Sequence, residues 1–477
     1  MTMTRSFPSK ALLLTALLLT AMIFPSAGDA ADEKPVVFPD TDAGKKVALY
    51  FMAFNSDDEN EMLNYLLRNA TPASLKERPI ENRMATYRRL KNDLGALKPV
   101  KIVKETEDAV AVIAQASNGQ WVETSFEFER VSHTLLGVRV MLLNEPPDLE
   151  APTTPLTEPE MLKELETYLD GLVTKDEFSG VVLVARGDKA VFRKAYGLAS
   201  KEYNAPNRVD TRFNLGSINK FMTRICIERL AAKGALKLDD TIGKHLPDYP
   251  NKQAAEKVTI RQLLDMTSGI GDFFGEQYVA TPKDQIRTLA DYLSLFGHKP
   301  LLFEPGTNRQ YSNGGYIVLG LIIEKASGQS YFDYVRDNIY RIAEMESTAH
   351  LEADVPTENV ATGYTRQWGE TDHPGEPRRS NIYTRPARGS SAGGGYSTVA
   401  DLLKLVLALK ANKLLAAETS KSVSEQGIAI AGGAPGISAF LQTDPKADHV
   451  IAVLSNYDPP VAESVGHKIE SLLRRLR

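Results

Sequence analysis

Four prolines crowd into residues 144–157, and this segment constrains the fold more than any other feature of the chain. They are Pro146, Pro147, Pro152 and Pro155. Each proline fixes its φ angle and lacks a backbone donor, and no apolar periodicity runs through the segment, so neither a helix nor a central strand is expected. The segment therefore predicts a semi-rigid linker with a separate hydrophobic core on each side.

The residues before the linker change from a helical to a strand-like apolar period. Helical spacing predicts helices over Ala43–Phe54, Asn60–Leu67 and Ile80–Leu94. Alternation predicts strands around Val110–Ala114, Val122–Phe128 and Leu136–Leu142. Residues 31–143 should thus form a small α+β domain, which loosely resembles the cone-shaped nuclear-transport-factor-like domains. We expect a spacer or docking role for it, with a ligand pocket inside the cone as the alternative. The sequence does not identify a protein partner.

Beyond the linker, residues 158–477 carry strand patterns at both ends and helical patterns between them. A helix is expected over Glu158–Leu172, then a hairpin that turns at Gly187-Asp188. Strand-like runs return over Gly427–Ile430, Ile437–Gln442 and His449–Leu454, before a last helix from Val461. This order predicts one antiparallel sheet assembled from distant segments, with helices around it.

The first thirty residues predict a secretory signal peptide. Arg5 and Lys10 precede an apolar run from Ala11 to Phe24, and small residues end near Ala30. A membrane anchor is the alternative, but the run is shorter than the roughly 20 residues that a span needs. We therefore expect a periplasmic or secreted protein without a membrane span after cleavage.

Composition excludes several classes of function. The formal charge of −5 gives no basis for a nucleic-acid partner. The single cysteine, Cys226, cannot form an intramolecular disulfide, and its apolar helical surroundings favour a buried thiol. No two histidines stand at metal-ligand spacing, so neither a metal nor another cofactor is expected.

Ser217 and Lys220 form the only Ser-x-x-Lys pattern in the chain and open an amphipathic helix. Positions three apart share a helix face, so the amine can reach the hydroxyl. Burial and the positive end of the helix lower a lysine pKa, which would make Lys220 a base for a serine nucleophile. An ordinary helix start, with Ser217 as a cap and Lys220 in solvent, is the structural alternative.

Tyr311-Ser312-Asn313 follows a turn-rich segment and supplies further polar groups. The Tyr311 phenol could relay a proton between Ser217 and a leaving group, and the Asn313 amide could bind Lys220 and a substrate carbonyl. A polar turn stabilised by Asn313 is the alternative.

These motifs, taken in order, resemble a superfamily that contains the class C beta-lactamases, the D,D-peptidases and the family VIII esterases. The resemblance rests on Phe213–Lys220, Leu238–Asp240, Leu263–Ile270, Pro305-Gly306, Tyr311–Asn313 and Gly393–Thr398. It covers residues 158–477 and implies the beta-lactamase/transpeptidase-like fold, an antiparallel sheet flanked by helices with a helical subdomain. It also implies that Ser217 forms an acyl-enzyme with Lys220 and Tyr311 as its general-base pair.

One motif of that superfamily is altered. In the superfamily this motif consists of a Lys or His, then any residue, then Gly. It aligns with Ile430-Ala431-Gly432, so the cation of its first position is missing. Residues 419–427 also look shortened, as if a strand before the motif had been lost. Gly432 and Gly433 remain candidates for substrate binding, and the backbone N–H groups of Ser217 and Gly433 for an oxyanion hole.

Two further patterns compete with this assignment. Gly389–Gly393 matches a Gly-x-Ser-x-Gly nucleophile elbow with Ser391 at its centre, but Pro386 precedes it where a strand is required. His373-Pro374-Gly375 matches the altered motif but lies in a proline-rich segment too early in the chain. The sequence thus predicts an exported, metal-free serine hydrolase of a small ester, amide or peptide bond. The alternative is a catalytically weak or inactive periplasmic binding protein with the same fold.

Overall fold

The structure is a computed structural model. It describes residues 36–476 apart from 57, 71–73, 76–78, 107, 130–133, 144–153, 369–370 and 374. The predicted signal peptide and most of the predicted linker therefore lie outside the described residues. No helix in the described ranges combines the length and apolar character that crossing a bilayer requires.

Helices and a four-stranded sheet make up the part of the N-terminal region that the structure describes. The helices are α1 (Asp42–Asn55), α2 (Glu59–Asn69) and α3 (Ile80–Leu94). The strands are β1 (Leu97–Glu105), β2 (Ala109–Ala116), β3 (Trp121–Phe128) and β4 (Leu135–Leu143), antiparallel in the order β1-β2-β3-β4. Val47, Phe54 and Phe126 are fully buried between the helices and one face of the sheet. The predicted α+β arrangement is confirmed here, whereas the likeness to nuclear-transport-factor-like domains stays a prediction.

The sequence analysis missed β1. Pro99 interrupts this strand and lysines occupy three of its nine positions, so the apolar alternation that indicates a strand is weak. Strand β1 lies at the edge of the sheet, where a proline costs no central ladder hydrogen bond. Its register against β2 shifts next to Pro99 and again after Ile102.

The C-terminal region contains a five-stranded antiparallel sheet. Its strands are β5 (Gly180–Arg186), β6 (Lys189–Tyr196), β15 (Ala429–Ala434), β16 (Ile437–Asp444) and β17 (His449–Ser455), in the order β15-β16-β17-β5-β6. Between them come the two- and three-residue strands β7 (Leu198–Ser200), β8 (Ala205–Pro206), β9 (Phe213–Asn214), β10 (Tyr364–Thr365), β11 (Gln367–Trp368), β12 (Thr371–Asp372), β13 (Arg379–Ser380) and β14 (Tyr396–Ser397). The predicted sheet of distant segments is confirmed, although β15 begins at Ala429 rather than at Gly427.

Helices cover both faces of this sheet. They are α4 (Glu158–Thr174), α5 (Asn219–Ala232), α6 (Ile242–His245), α7 (Lys252–Lys257), α8 (Ile260–Leu264), α9 (Glu276–Ala280), α10 (Leu289–Ser294), α11 (Asn313–Ser327), α12 (Tyr331–Val335), α13 (Val399–Lys410), α14 (Ala417–Gln426) and α15 (Val461–Leu473). Alternate residues of β5 point to opposite faces, so Val182 packs with α4 and α15 while Leu183 packs with the helical middle. The helical middle lies next to β15, and the polar residues singled out above meet there.

Candidate active site

Ser217 lies in a tight turn between β9 and α5. Residues 216–218 form a single 3₁₀ turn that continues into α5, and Gly216 has a φ of +50°. A Cβ at Gly216 would come within 2.9 Å of the Gly433 nitrogen, so both the backbone angle and the space require glycine. The turn leaves Ser217 half-buried at the N-terminal end of α5. The free backbone N–H groups at this end of a helix favour negative charge.

Lys220 reaches Ser217 as the spacing predicts. Its Nζ donates hydrogen bonds to Ser217 Oγ at 3.1 Å, to Asn313 Oδ1 at 2.7 Å and to the Ala392 carbonyl at 2.6 Å. The side chain is only 7% exposed, and this burial lowers the pKa of Lys220 to about 7, against an opposing effect of the Asp272 carboxylate. A lysine with that pKa exchanges a proton near neutral pH.

Tyr311 is a second side chain in contact with Ser217. A hydrogen bond of 2.6 Å joins its hydroxyl to Ser217 Oγ, and Lys220 Nζ lies 4.7 Å from the centre of its ring. Loss of hydration raises the pKa of Tyr311, and the hydrogen bond to Ser217 opposes that rise. The resting phenol is therefore neutral at pH 7 and can pass a proton along the chain of three polar groups.

Asp272 belongs to the same cluster, and the sequence analysis missed it. Its Oδ2 accepts a hydrogen bond of 2.6 Å from Asn313 Nδ2, which turns the Asn313 carbonyl oxygen towards Lys220. The Ala392 carbonyl that binds Lys220 was missed as well. Asp272 stands in no motif that was singled out, so only the folded structure reveals it.

The glycine-rich segment Gly393–Gly395 packs against the serine turn. Asn219, fully buried, accepts a hydrogen bond of 2.7 Å from the Gly395 nitrogen, and the Leu215 nitrogen donates to the Gly395 carbonyl. A Cβ at Gly393 would lie 3.0 Å from the Gly216 carbonyl oxygen. The close contact between the two backbones explains why small residues occupy this segment.

Strand β15 is the edge of the five-stranded sheet and packs against the serine turn. A Cβ at Gly432 would lie 2.1 Å from the Leu215 carbonyl and 2.8 Å from the Ser217 nitrogen, so no other residue fits without movement. Ile430 shares a face with Gly432, is half-buried and packs on the helical core. Residues 417–426, just before β15, form α14 rather than a further strand beside it, so β15 is an edge strand among the described residues.

Neither competing pattern brings its central side chain, Ser391 or His373, into contact with Ser217. Ser391 is fully buried, and its hydroxyl has no partner among the described residues, so no substrate reaches it without rearrangement. His373 stacks on Trp368 with 4.1 Å between ring centres. Cys226 is also fully buried, as predicted.

The comparisons with known proteins agree with this geometry. The family model described as Beta-lactamase matches residues 165–473, well over half of the chain. The chain belongs to the beta-lactamase family. The matched range contains the serine turn, Lys220, Tyr311 and β15, and it excludes the N-terminal region.

Relatives of this beta-lactamase-family protein carry several names. Penicillin-binding protein 4* of Bacillus subtilis is 35% identical over 188 residues, 39% of this chain and 41% of that protein. A penicillin-binding protein structure from Bacillus halodurans aligns with a TM-score of 0.57 and 29% identity, covering 65% of this chain and 98% of the other. The D-amino acid amidase of Ochrobactrum anthropi shares the fold, with a TM-score of 0.55 at 21% identity over 66% of this chain and 98% of its own. The chain spans about half the length of the curated relatives it matches.

Proposed function

We propose that this protein is a serine hydrolase that cleaves a neutral ester or amide through an acyl-enzyme on Ser217. The observation that carries the proposal is the contact of Ser217 Oγ with both Lys220 Nζ, at 3.1 Å, and Tyr311 OH, at 2.6 Å. A buried lysine with a pKa of about 7 and a serine within hydrogen-bond distance form an activated nucleophile.

The contacts suggest an order of proton transfers. Neutral Lys220 takes the Ser217 proton, directly or through Tyr311, as the serine oxygen attacks the substrate carbonyl. We expect the N–H groups of Ser217 and Gly433 to stabilise the oxyanion and Tyr311 to return the proton to the leaving group as its bond to carbon breaks. Water then attacks the acyl carbon and gives its proton to the same relay, and the relay protonates Ser217 Oγ as its bond to the acyl carbon breaks and the acid is released.

Ile430 supports a preference for neutral substrates. The cation that the superfamily motif would place there could make a charge-assisted hydrogen bond to a substrate carboxylate, worth on the order of 1.5–3 kcal/mol. Its absence should weaken transition-state binding of anionic substrates by roughly 10- to 100-fold. The apolar Ile430 side chain would instead favour neutral acyl or alcohol groups.

Steady-state kinetics on matched substrates test this preference. We expect the natural protein to hydrolyse p-nitrophenyl butyrate and to turn over a cephalosporin or a peptide with a free C-terminal carboxylate poorly. Ile430→His should raise kcat/KM for the anionic substrates about tenfold or more relative to the ester, whereas Ile430→Leu should leave the ratio unchanged. Efficient cephalosporin hydrolysis by the natural protein would contradict this account of position 430.

A non-catalytic binding protein is the second candidate, and the missing cation at Ile430 is the observation that favours it. The intact contacts of Ser217 argue against it, because a binding site does not need a buried lysine beside a serine. Ester hydrolysis that disappears in Ser217→Ala separates the two functions. A protein that binds substrate with no turnover would support the binding function.

We also propose that the protein is exported and acts in the periplasm or outside the cell. The apolar run after Arg5 and Lys10 supports export. Sequencing the amino terminus of the protein purified from its native host tests this proposal. A mature terminus near residue 31 is expected, and an intact Met1 in a cytoplasmic fraction would contradict it.

A further inference from the structure

A cavity outside the Ser217 site lies at the open end of the N-terminal region. Its volume is about 940 Å³, which is at the upper end of the range of small-molecule pockets. Helices α1 to α3 and strands β3 and β4 supply most of the lining, and residues 308–310 of the C-terminal region complete it. The cavity therefore lies where the two regions meet.

Apolar and polar side chains both line this cavity. Met62, Leu66, Val138 and Val140 line it, together with Tyr50. Tyr50 is only 5% exposed. A bound molecule with an apolar body would remove the surface of these apolar side chains from water.

Cations outnumber anions along the lining. Arg309 is exposed, and its guanidinium makes neither an ion pair nor a hydrogen bond among the described residues. Arg83 also lines the cavity and donates to the Ser74 carbonyl at 2.7 Å, and Glu127 contributes a carboxylate. An unpaired guanidinium beside the apolar side chains of this lining is complementary to a carboxylate on an apolar body.

The segment that closes the cavity leads directly into the active site. Asn308, Arg309 and Gln310 precede Tyr311, whose hydroxyl is bonded to Ser217 Oγ. The Gln310 nitrogen donates to the Met266 carbonyl at 2.9 Å, which fixes one side of this segment. A molecule that contacts Arg309 therefore acts on the backbone that positions the phenol.

We propose that this cavity binds an alkyl or aryl carboxylate, with the apolar body inside the N-terminal region and the carboxylate on Arg309, and that its occupancy changes ester turnover through Tyr311. The binding does not depend on the function proposed above. The effect on turnover rests on that function, so the two are measured separately.

Titration calorimetry with decanoate on the full-length Ser217→Ala protein tests the binding. We expect saturable binding of decanoate and at least tenfold weaker binding of decylammonium, which has the same chain and the opposite charge. Arg309→Ala should weaken decanoate binding about tenfold or more, and Val140→Trp should abolish it by filling the cavity. Val103→Trp, on the exposed part of β1, is the matched control and should bind normally.

Thermal unfolding of each variant identifies any loss of binding that comes from misfolding. Arg309 lies on the surface, so Arg309→Ala should fold even if Val140→Trp does not. Undiminished binding to a folded Val140→Trp protein, or decylammonium binding as tight as decanoate, would overturn the site.

Kinetics on the protein with Ser217 intact test the coupling. Decanoate should change kcat for p-nitrophenyl acetate with a midpoint at its calorimetric Kd, and Val140→Trp should remove this effect. A rise in KM alone that persists in Val140→Trp would mean competition at Ser217 and would overturn the coupling. Absence of turnover without decanoate would count against the proposed hydrolase, while the calorimetric result would stand.

Discussion

At the scale of single residues, two opposing effects determine the pKa of Lys220. Burial favours the neutral amine, whereas the Asp272 carboxylate favours the ammonium form, and the pKa of about 7 results from both. As an ammonium group, Lys220 can donate all three of its hydrogen bonds at once. After losing a proton it can accept one from Ser217, so the same contact can serve both the resting and the reactive state.

The pH dependence of ester hydrolysis should report this balance. In the proposed mechanism the neutral amine is the active form, so kcat/KM should rise with pH and level off above an inflection near 7. Asp272→Asn removes the charge that raises the pKa of Lys220, so the inflection should move to lower pH. Asp239→Asn, at an exposed residue paired with Arg261, is the control and should leave the profile unchanged. An inflection that stays in place or moves upward in Asp272→Asn would contradict this assignment.

Residues that share a helix turn were predictable, and those brought together by the fold were not. Ser217 and Lys220 lie three positions apart, so their contact follows from helix geometry alone. Asp272 lies in the loop between α8 and α9 and contacts Asn313, 41 positions later, at the start of α11. The Ala392 carbonyl is a backbone atom, and no residue type identifies it in a sequence.

At the scale of elements, the contact of β15 with the serine turn determines how the backbone of the edge strand lies relative to Ser217. Gly432 lies on the face of the edge strand that meets Leu215 and Ser217, at distances where any side chain would collide with backbone. Backbone cannot move aside as a flexible side chain can. The position of the Gly433 N–H relative to Ser217 therefore depends on a glycine at position 432.

Gly432→Ala should separate β15 from the turn and impair catalysis. Displacing one oxyanion donor costs about 10²–10³-fold in kcat, and a loss of that order is expected for p-nitrophenyl butyrate. Gly171→Ala, in α4 with open space around it, is the matched control. It should keep full activity and gain about 0.5–1 kcal/mol in the free energy of unfolding, measured in urea. Near-normal turnover in Gly432→Ala would show that this contact does not position the donor.

Elements with a strong apolar period were predicted well, and weakly patterned ones were not. The hairpin agrees with its expected position because a continuous apolar run precedes the Gly187-Asp188 turn. The helix from Val461 agrees because its buried residues recur at helical spacing. Strand β1 was missed because Pro99 and the lysines obscure its period at a sheet edge. The start of β15 was misplaced because Gly427 has a φ of +80°, which ends a helix rather than begins a strand.

At the scale of the whole molecule, the N-terminal and C-terminal regions have separate hydrophobic cores. One buried cluster extends from Ala43 to Leu135, and the clusters of the C-terminal region begin at Leu156. The Leu156 nitrogen donates to the Arg475 carbonyl at 2.7 Å, so the C-terminal region closes on itself after the linker. The prolines predicted a separate core on each side of the linker, and a ligand pocket in the N-terminal region was the alternative to a spacer role. The contribution of residues 308–310 to the cavity could not be predicted, because it depends on how distant segments meet.

A fragment that begins at Pro155 should therefore fold without the N-terminal region. It retains Leu156, and the whole range matched by the family model lies within it. We expect one cooperative unfolding transition and ester kcat/KM within about twofold of the full chain, measured in the absence of carboxylates. Insolubility of the fragment would show that the N-terminal region covers apolar surface that the C-terminal region cannot leave exposed.

Mass spectrometry after reaction with a fluorophosphonate tests the central claim most directly, because the probe bonds only to an activated nucleophile. The account predicts one adduct per chain, located on the peptide that contains Ser217 and absent from Ser217→Ala. Labelling of Ser391→Ala should equal that of the natural protein, since the Ser391 side chain is fully buried. An adduct that persists in Ser217→Ala, or that disappears in Ser391→Ala, would contradict the assignment of Ser217 as the nucleophile.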